Sequence, residues 1–66
     1  MNTNYQIERL PEVIKRTGLG RSSIYAAIAA GTFPQPIKLS TRAIGFASDE
    51  IDAWIASRAQ SRARRA

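Results

Sequence analysis

The sequence predicts a mainly α fold with a small β-hairpin wing, a winged helix-turn-helix in a single domain. Three features lead there. Two short segments with helical apolar spacing are parted only by Gly18-Leu19-Gly20, the layout of two helices joined by a tight turn. Two alternating arms, Ile37-Lys38-Leu39 and Ala43-Ile44-Gly45-Phe46, flank the polar tip Ser40-Thr41-Arg42. A third helical segment follows Ser48.

The first helix is expected from about Leu10 to Thr17. Leu10, Val13, Ile14 and Thr17 recur at the spacing of one helix face, and Pro11 falls in the first turn, where no backbone N–H is needed. Gly18 suits the left-handed residue that ends a helix. The second helix is expected from Arg21 to Ala30, with Ile24, Ala27 and Ile28 on its inner face. Gly20 is its N-cap, and Leu19 and Ile24 are placed to staple its entry. Gly31 ends it, and Pro34 and Pro36 prevent its return. Pro36 lies just outside the first hairpin arm, where its missing N–H does little harm. The third helix starts near Asp49 with Ser48 as N-cap. Asp49, Glu50 and Asp52 suit the positive end of its dipole, Ile51, Trp54 and Ile55 form its buried stripe, and it frays around Arg58. Phe33 and Phe46 are expected in the core. The chain then divides into a flexible N-terminus (1–8), a folded domain (9–56) and a basic disordered tail (57–66).

A chain of 66 residues holds one small core, worth roughly 3–5 kcal/mol of stability. It has no Cys and no His, so disulfides and the usual zinc ligands are excluded and no metal or cofactor is expected. Consecutive carboxylates on a helix splay apart, so Asp49, Glu50 and Asp52 read as capping charge, not as a metal or acid–base site. No nucleophile–base pair can be built through His or Cys. No catalytic residue is assigned, and the chain is not expected to be an enzyme. It has no 18-residue apolar run and no secretory pattern at its start, so a cytoplasmic location without membrane contact is expected.

Ten Lys and Arg against five Asp and Glu give a net charge of +5 and a pI near 10.8, which points to a polyanionic partner. The distribution is uneven. Arg58, Arg62, Arg64 and Arg65 lie in the last ten residues without any acid, and the rest of the chain is only +1. Net charge alone therefore describes an adhesive tail. Specific recognition has to come from the folded part.

The second helix fits that demand. In a helix-turn-helix the second helix enters the DNA major groove with its N-terminal residues at the base edges. Ile24, Ala27 and Ile28 turn inward, Ser22, Ala26 and Ala29 turn outward, and Ser23 and Tyr25 flank them. Arg21 stands at the helix start, where a phosphate is also drawn by free N–H groups. Serine hydroxyls adapt to several base edges, and Tyr25 can stack or bond a phosphate. Lys38, Thr41 and Arg42 lie where a wing meets the backbone. Trp54 could serve as a base-stacking platform, but its place in the apolar stripe favours the core. The candidate DNA-binding residues are thus Arg21, Ser22, Ser23, Tyr25, Ala26, Lys38, Thr41, Arg42, Arg58, Arg62, Arg64 and Arg65.

Several segments together resemble the AlpA family. They are Arg9-Leu10-Pro11-Glu12-Val13, Thr17 through Tyr25, Gly31 through Leu39, Ala43-Ile44-Gly45-Phe46 and Glu50 through Ile55. That family comprises short phage and prophage transcriptional regulators related to excisionases and to the DNA-binding domain of MerR-type activators. The resemblance implies a reading second helix, a hairpin wing, double-stranded DNA as partner, and a nucleoid-associated role in a bacterium or phage. Integrase and RNA polymerase are further partners it allows, as are copies of the chain on adjacent sites. Two positions depart from the pattern. Gly20 stands where serine is usual, and Ala26 where a longer polar or basic residue is usual. The second departure leaves thymine methyls or DNA shape as the means of readout beyond the first turn. The expected function is sequence-specific regulation of transcription in a phage or mobile element. The alternatives are an excisionase-like directionality factor that bends DNA and recruits an integrase, and, from another class, a basic protein-interaction module that binds nucleic acid nonspecifically.

Overall fold

The computed structural model describes residues 6–63. The element order is β1 (Ile7–Glu8), α1 (Leu10–Thr17), α2 (Arg21–Ala30), β2 (Ile37–Lys38), β3 (Ile44–Ala47) and α3 (Ser48–Ala63). The strands form one antiparallel sheet in the order β1-β3-β2. Three helices with a small sheet are the winged helix-turn-helix expected.

Both helix-turn-helix segments fall on their expected bounds, and the glycines explain why. Gly18 adopts φ 76° and donates its N–H to the Ile14 carbonyl, closing α1 with a single left-handed cap. The Thr17 hydroxyl donates back to Val13 O and accepts from Leu19 N–H, which ties down the turn. At the other end of α2, Gly31 adopts φ 79°. There Gly31 N–H bonds Ile28 O and Thr32 N–H bonds Ala27 O, the paired bonds of a Schellman cap. The Gln35 side chain then donates to the Ile28 and Phe33 carbonyls, folding the proline-containing connection against the helix end.

The core is Leu10 and Val13 from α1, Ile24 from α2, Phe33 from the connection, Phe46 from β3 and Ile51 from α3. Every element from α1 onward except β2 thus gives at least one buried side chain. Ile14, Leu19, Ala27, Ile28, Ile44, Trp54 and Ile55 pack around it. Phe33 is the hinge of the aromatic cluster, edge-on to Phe46 at 5.9 Å and to Trp54 at 4.9 Å between centroids. Trp54 is half-buried and packs on the core from its rim. Its indole Nε1 donates to Thr32 O at 3.0 Å, so α3 holds the chain just where it leaves α2.

Three expectations are corrected. Residues 7 and 8 are not a flexible lead. Ile7 pairs with Ala47 and Glu8 with Phe46, which makes β3 the central strand. Two residues are too few to show a period, so their pattern alone carried no signal. Ser48 does not cap α3 from outside. It is the first helical residue, its hydroxyl accepts from Gln6 N–H, and its own N–H donates to Gln6 O. The helix does not end near Arg58 but runs to Ala63, so Ser57–Ala63 are not a disordered tail. Residues 57–62 are exposed, and Arg58, Ala59, Gln60 and Arg62 outnumber the two serines among them. Ala, Arg and Gln favour helix by intrinsic propensity, and extending a helix already nucleated against the core costs little.

Gly45 shows why β1 can cross so close. A Cβ built there would collide with Ile7 Cγ2 and lie 3.1 Å from Leu39 Cδ1 and 3.3 Å from Glu8 O. The side chains of Ile7, from β1, and Leu39, just beyond β2, therefore close over the glycine from both sides.

Candidate nucleic-acid interface

The helix-turn-helix presents α2 with one face anchored and the other bare. Ile24 is fully buried and Ala27 and Ile28 are half-buried, whereas Arg21, Ser22, Ser23, Tyr25, Ala26, Ala29 and Ala30 are exposed. Tyr25 is 45% exposed, so much of its ring edge and its hydroxyl are open to a ligand while the rest rests on the protein. Gly20 is extended, φ −80° and ψ 169°, and brings no side-chain cap. The first turn also carries no acidic residue. The N–H groups of that turn and the Arg21 guanidinium together make an electropositive end suited to a phosphate oxygen.

The hairpin tip is equally bare. Leu39 N–H and Ser40 N–H donate to Ala43 O, Ala43 N–H donates to Ser40 O, and Arg42 N–H reaches the Ser40 hydroxyl. This network sets Thr41 and Arg42 at the apex. Both are exposed, as is Lys38 on β2. The tip is carried by the β2–β3 hairpin and α2 by its packing on the core to which β3 contributes Phe46.

On α3, Arg58 and Arg62 lie one turn apart on the exposed extension. The Arg58 guanidinium sits 5.6 Å from the centre of the Trp54 ring, which orients it without neutralising it. Arg64 and Arg65 lie outside the described residues.

Sequence reasoning missed the role of Arg16. On α1 it bonds Glu8 of β1 and Asp52 of α3, tying three elements together. The hydrogen bonds it donates to Asp52 and then to Glu8 hold its pKa above the ordinary guanidinium value. Arg16 is thereby committed to the fold and withdrawn from the cations available to a ligand. Glu8 Oε1 is buried without a hydrogen bond, so the cluster depends on Arg16 for its charge balance. No spacing rule links residues 8, 16 and 52. Only the chain path does.

A wide groove of about 680 Å³ runs between the connection after α2 and α3, floored by Phe33, Pro34, Ile37, Ala53 and Trp54, with Glu50 at its rim. Its lining is mostly apolar, and the Thr32 hydroxyl there is turned to the Ala27 carbonyl. No helix among the described residues is long and apolar enough to cross a membrane.

These features define a small winged helix-turn-helix with a bare second helix and a basic hairpin tip. Comparison with known proteins agrees. The sequence profile of the family described as prophage CP4-57 regulatory protein (AlpA) matches residues 6–59, and the chain belongs to that family. It is 37% identical to uncharacterized protein ORF88 of Enterobacteria phage P4 over 62 residues, covering 94% of this chain and 70% of that one. It is 36% identical over 59 residues to the DNA-binding transcriptional activator AlpA of Escherichia coli (strain K12), covering 80% of this chain and 84% of the relative. No solved structure gives a significant match.

Proposed function

We propose that this protein binds double-stranded DNA sequence-specifically and regulates transcription for a phage or mobile element, without enzymatic activity. The observation that carries this reading is α2 itself. Its inner face is locked into the core while Arg21, Ser22, Ser23, Tyr25 and Ala26 stand free in a helix-turn-helix. Membership of the AlpA family and the likeness to a relative named as a DNA-binding transcriptional activator support the same reading. In this account the first turn of α2 meets base edges, Lys38, Thr41 and Arg42 meet the backbone beside them, and Arg58 and Arg62 add backbone contacts from α3, continued by Arg64 and Arg65. The protein acts in the cytoplasm, on the nucleoid, either singly or as copies on adjacent sites.

The test is selection from a randomised duplex library in excess competitor DNA, followed by footprinting on the DNA flanking the protein's own gene. A recovered consensus that is also protected there supports the reading. Binding that competitor abolishes for every sequence contradicts it and favours a nonspecific basic module. A promoter reporter and a bending assay on the recovered site then separate a regulator, with RNA polymerase as its partner, from an excisionase-like factor that bends DNA and recruits an integrase.

A further inference from the structure

The proposed role of α2 leaves open how its later turns recognise sequence, and the following inference rests on that role. Bidentate reading of a purine needs a guanidinium, ammonium or carboxamide, and reading the cytosine amino group needs a carboxylate. Among the exposed side chains of α2 only Arg21 qualifies, and it is the first residue of the helix. Beyond Ser23 the sole polar side-chain atom is the Tyr25 hydroxyl. Ala26 and Ala29 lie about 60° apart around the axis, on the side away from Ile24. Both are exposed. Tyr25, an aromatic left 45% exposed, borders them. Past Arg21 this helix carries no cation, so reading of a narrowed minor groove falls to other elements such as the Arg42 tip. The distinctive apolar feature of the major-groove edge is the thymine C5-methyl group. A helix bearing only methyls can approach the groove floor more closely than one carrying long side chains.

We infer that α2 reads its site in two chemically distinct parts: Arg21 and the serines by hydrogen bonds at the helix start, then Ala26 and Ala29, flanked by Tyr25, by apolar contact with pyrimidine C5-methyl groups. The preferred site therefore carries thymines under the later turns of α2, and the methyl itself, not the thymine hydrogen-bonding edge, is what those turns detect.

The experiment takes the duplex recovered by selection with the full chain and replaces its thymines, one at a time, with deoxyuridine. That change deletes only the methyl. Affinity is expected to fall about fourfold per contacted methyl, at one or two neighbouring positions, with no change on random duplex. In an Ala26→Gly variant the uracil effect at one of these positions shrinks towards none, while the hydrogen-bonded part of the site keeps its preference. A recovered duplex that binds equally with uracil at every position, or that has no thymine in the protected major groove, overturns the inference and leaves the proposed function standing. Failure to recover any preferred duplex overturns the reading of α2, and this inference with it.

Discussion

Replacing Gly45 with alanine tests the packing of the sheet that holds the helix-turn-helix in place. The added methyl would overlap Ile7 Cγ2 and press on Leu39 Cδ1 at 3.1 Å and on the Glu8 carbonyl oxygen at 3.3 Å. The Leu39 methyl is the end of a flexible, exposed side chain and can swing away. Ile7 Cγ2 is a branch on a strand residue, and the Glu8 carbonyl is backbone, so neither yields without moving β1. Overpacking of this kind costs about 1–3 kcal/mol. Against a total stability of roughly 3–5 kcal/mol for a domain this small, that is a large fraction. With a shift of about 4–8 °C per kcal/mol, Gly45→Ala should lower the melting temperature by at least several degrees in thermal circular dichroism. Ile7→Ala alone removes a 41%-exposed side chain and should cost about 1 kcal/mol. Because it also removes the main obstacle, the double variant should be more stable than the sum of the single effects, by about 0.5–3 kcal/mol. A Gly45→Ala protein that melts like the parent, or strict additivity with Ile7→Ala, would refute the position of β1 against β3.

Other perturbations follow from the same structure. Trp54→Ala removes the ring packed on Phe33 and its bond to Thr32 O. Since truncating a buried Trp costs about 3–5 kcal/mol and this one is half-buried, a loss of about 3 kcal/mol is expected, enough to abolish a cooperative melt near the parent temperature. Arg16→Ala should lower the melting temperature more than Asp52→Asn does, because it leaves the half-buried Glu8 without its partner; an equal or smaller effect in thermal melts would remove Arg16 from the frame. Arg42→Ala, Arg58→Ala and Arg62→Ala should each weaken binding to all sequences alike and reduce the slope of log affinity against log salt by about 0.9 if the residue meets one phosphate. An unchanged slope in titrations at several salt concentrations would make that arginine a bystander.

The parts of the fold legible in the sequence are those marked by both periodicity and punctuation. Gly18 and Gly31 occupy the positive-φ caps that end α1 and α2, so both helices could be bounded to the residue. The hairpin was legible because Ile37, Leu39, Ile44 and Phe46 alternate around a polar tip. What could not be read was β1, two residues long, and the second half of α3, where exposure on all sides erases any apolar period. The same applies to the interface. The free face of α2 follows by subtraction from Ile24, Ala27 and Ile28. The withdrawal of Arg16 from the ligand-facing cations does not, because it depends on β1, α1 and α3 meeting in space.

The central claim is that the first turns of α2 read bases. Ser22→Ala, Ser23→Ala and Tyr25→Ala alter exposed side chains and should leave the fold intact. Their affinities are to be measured on the selected duplex and on random duplex under identical salt. At about 1–3 kcal/mol per base contact, specific binding should fall roughly 5- to 150-fold for each contacting residue, while nonspecific binding changes little. Equal losses on both duplexes, or unchanged specific binding in all three variants, would contradict the account.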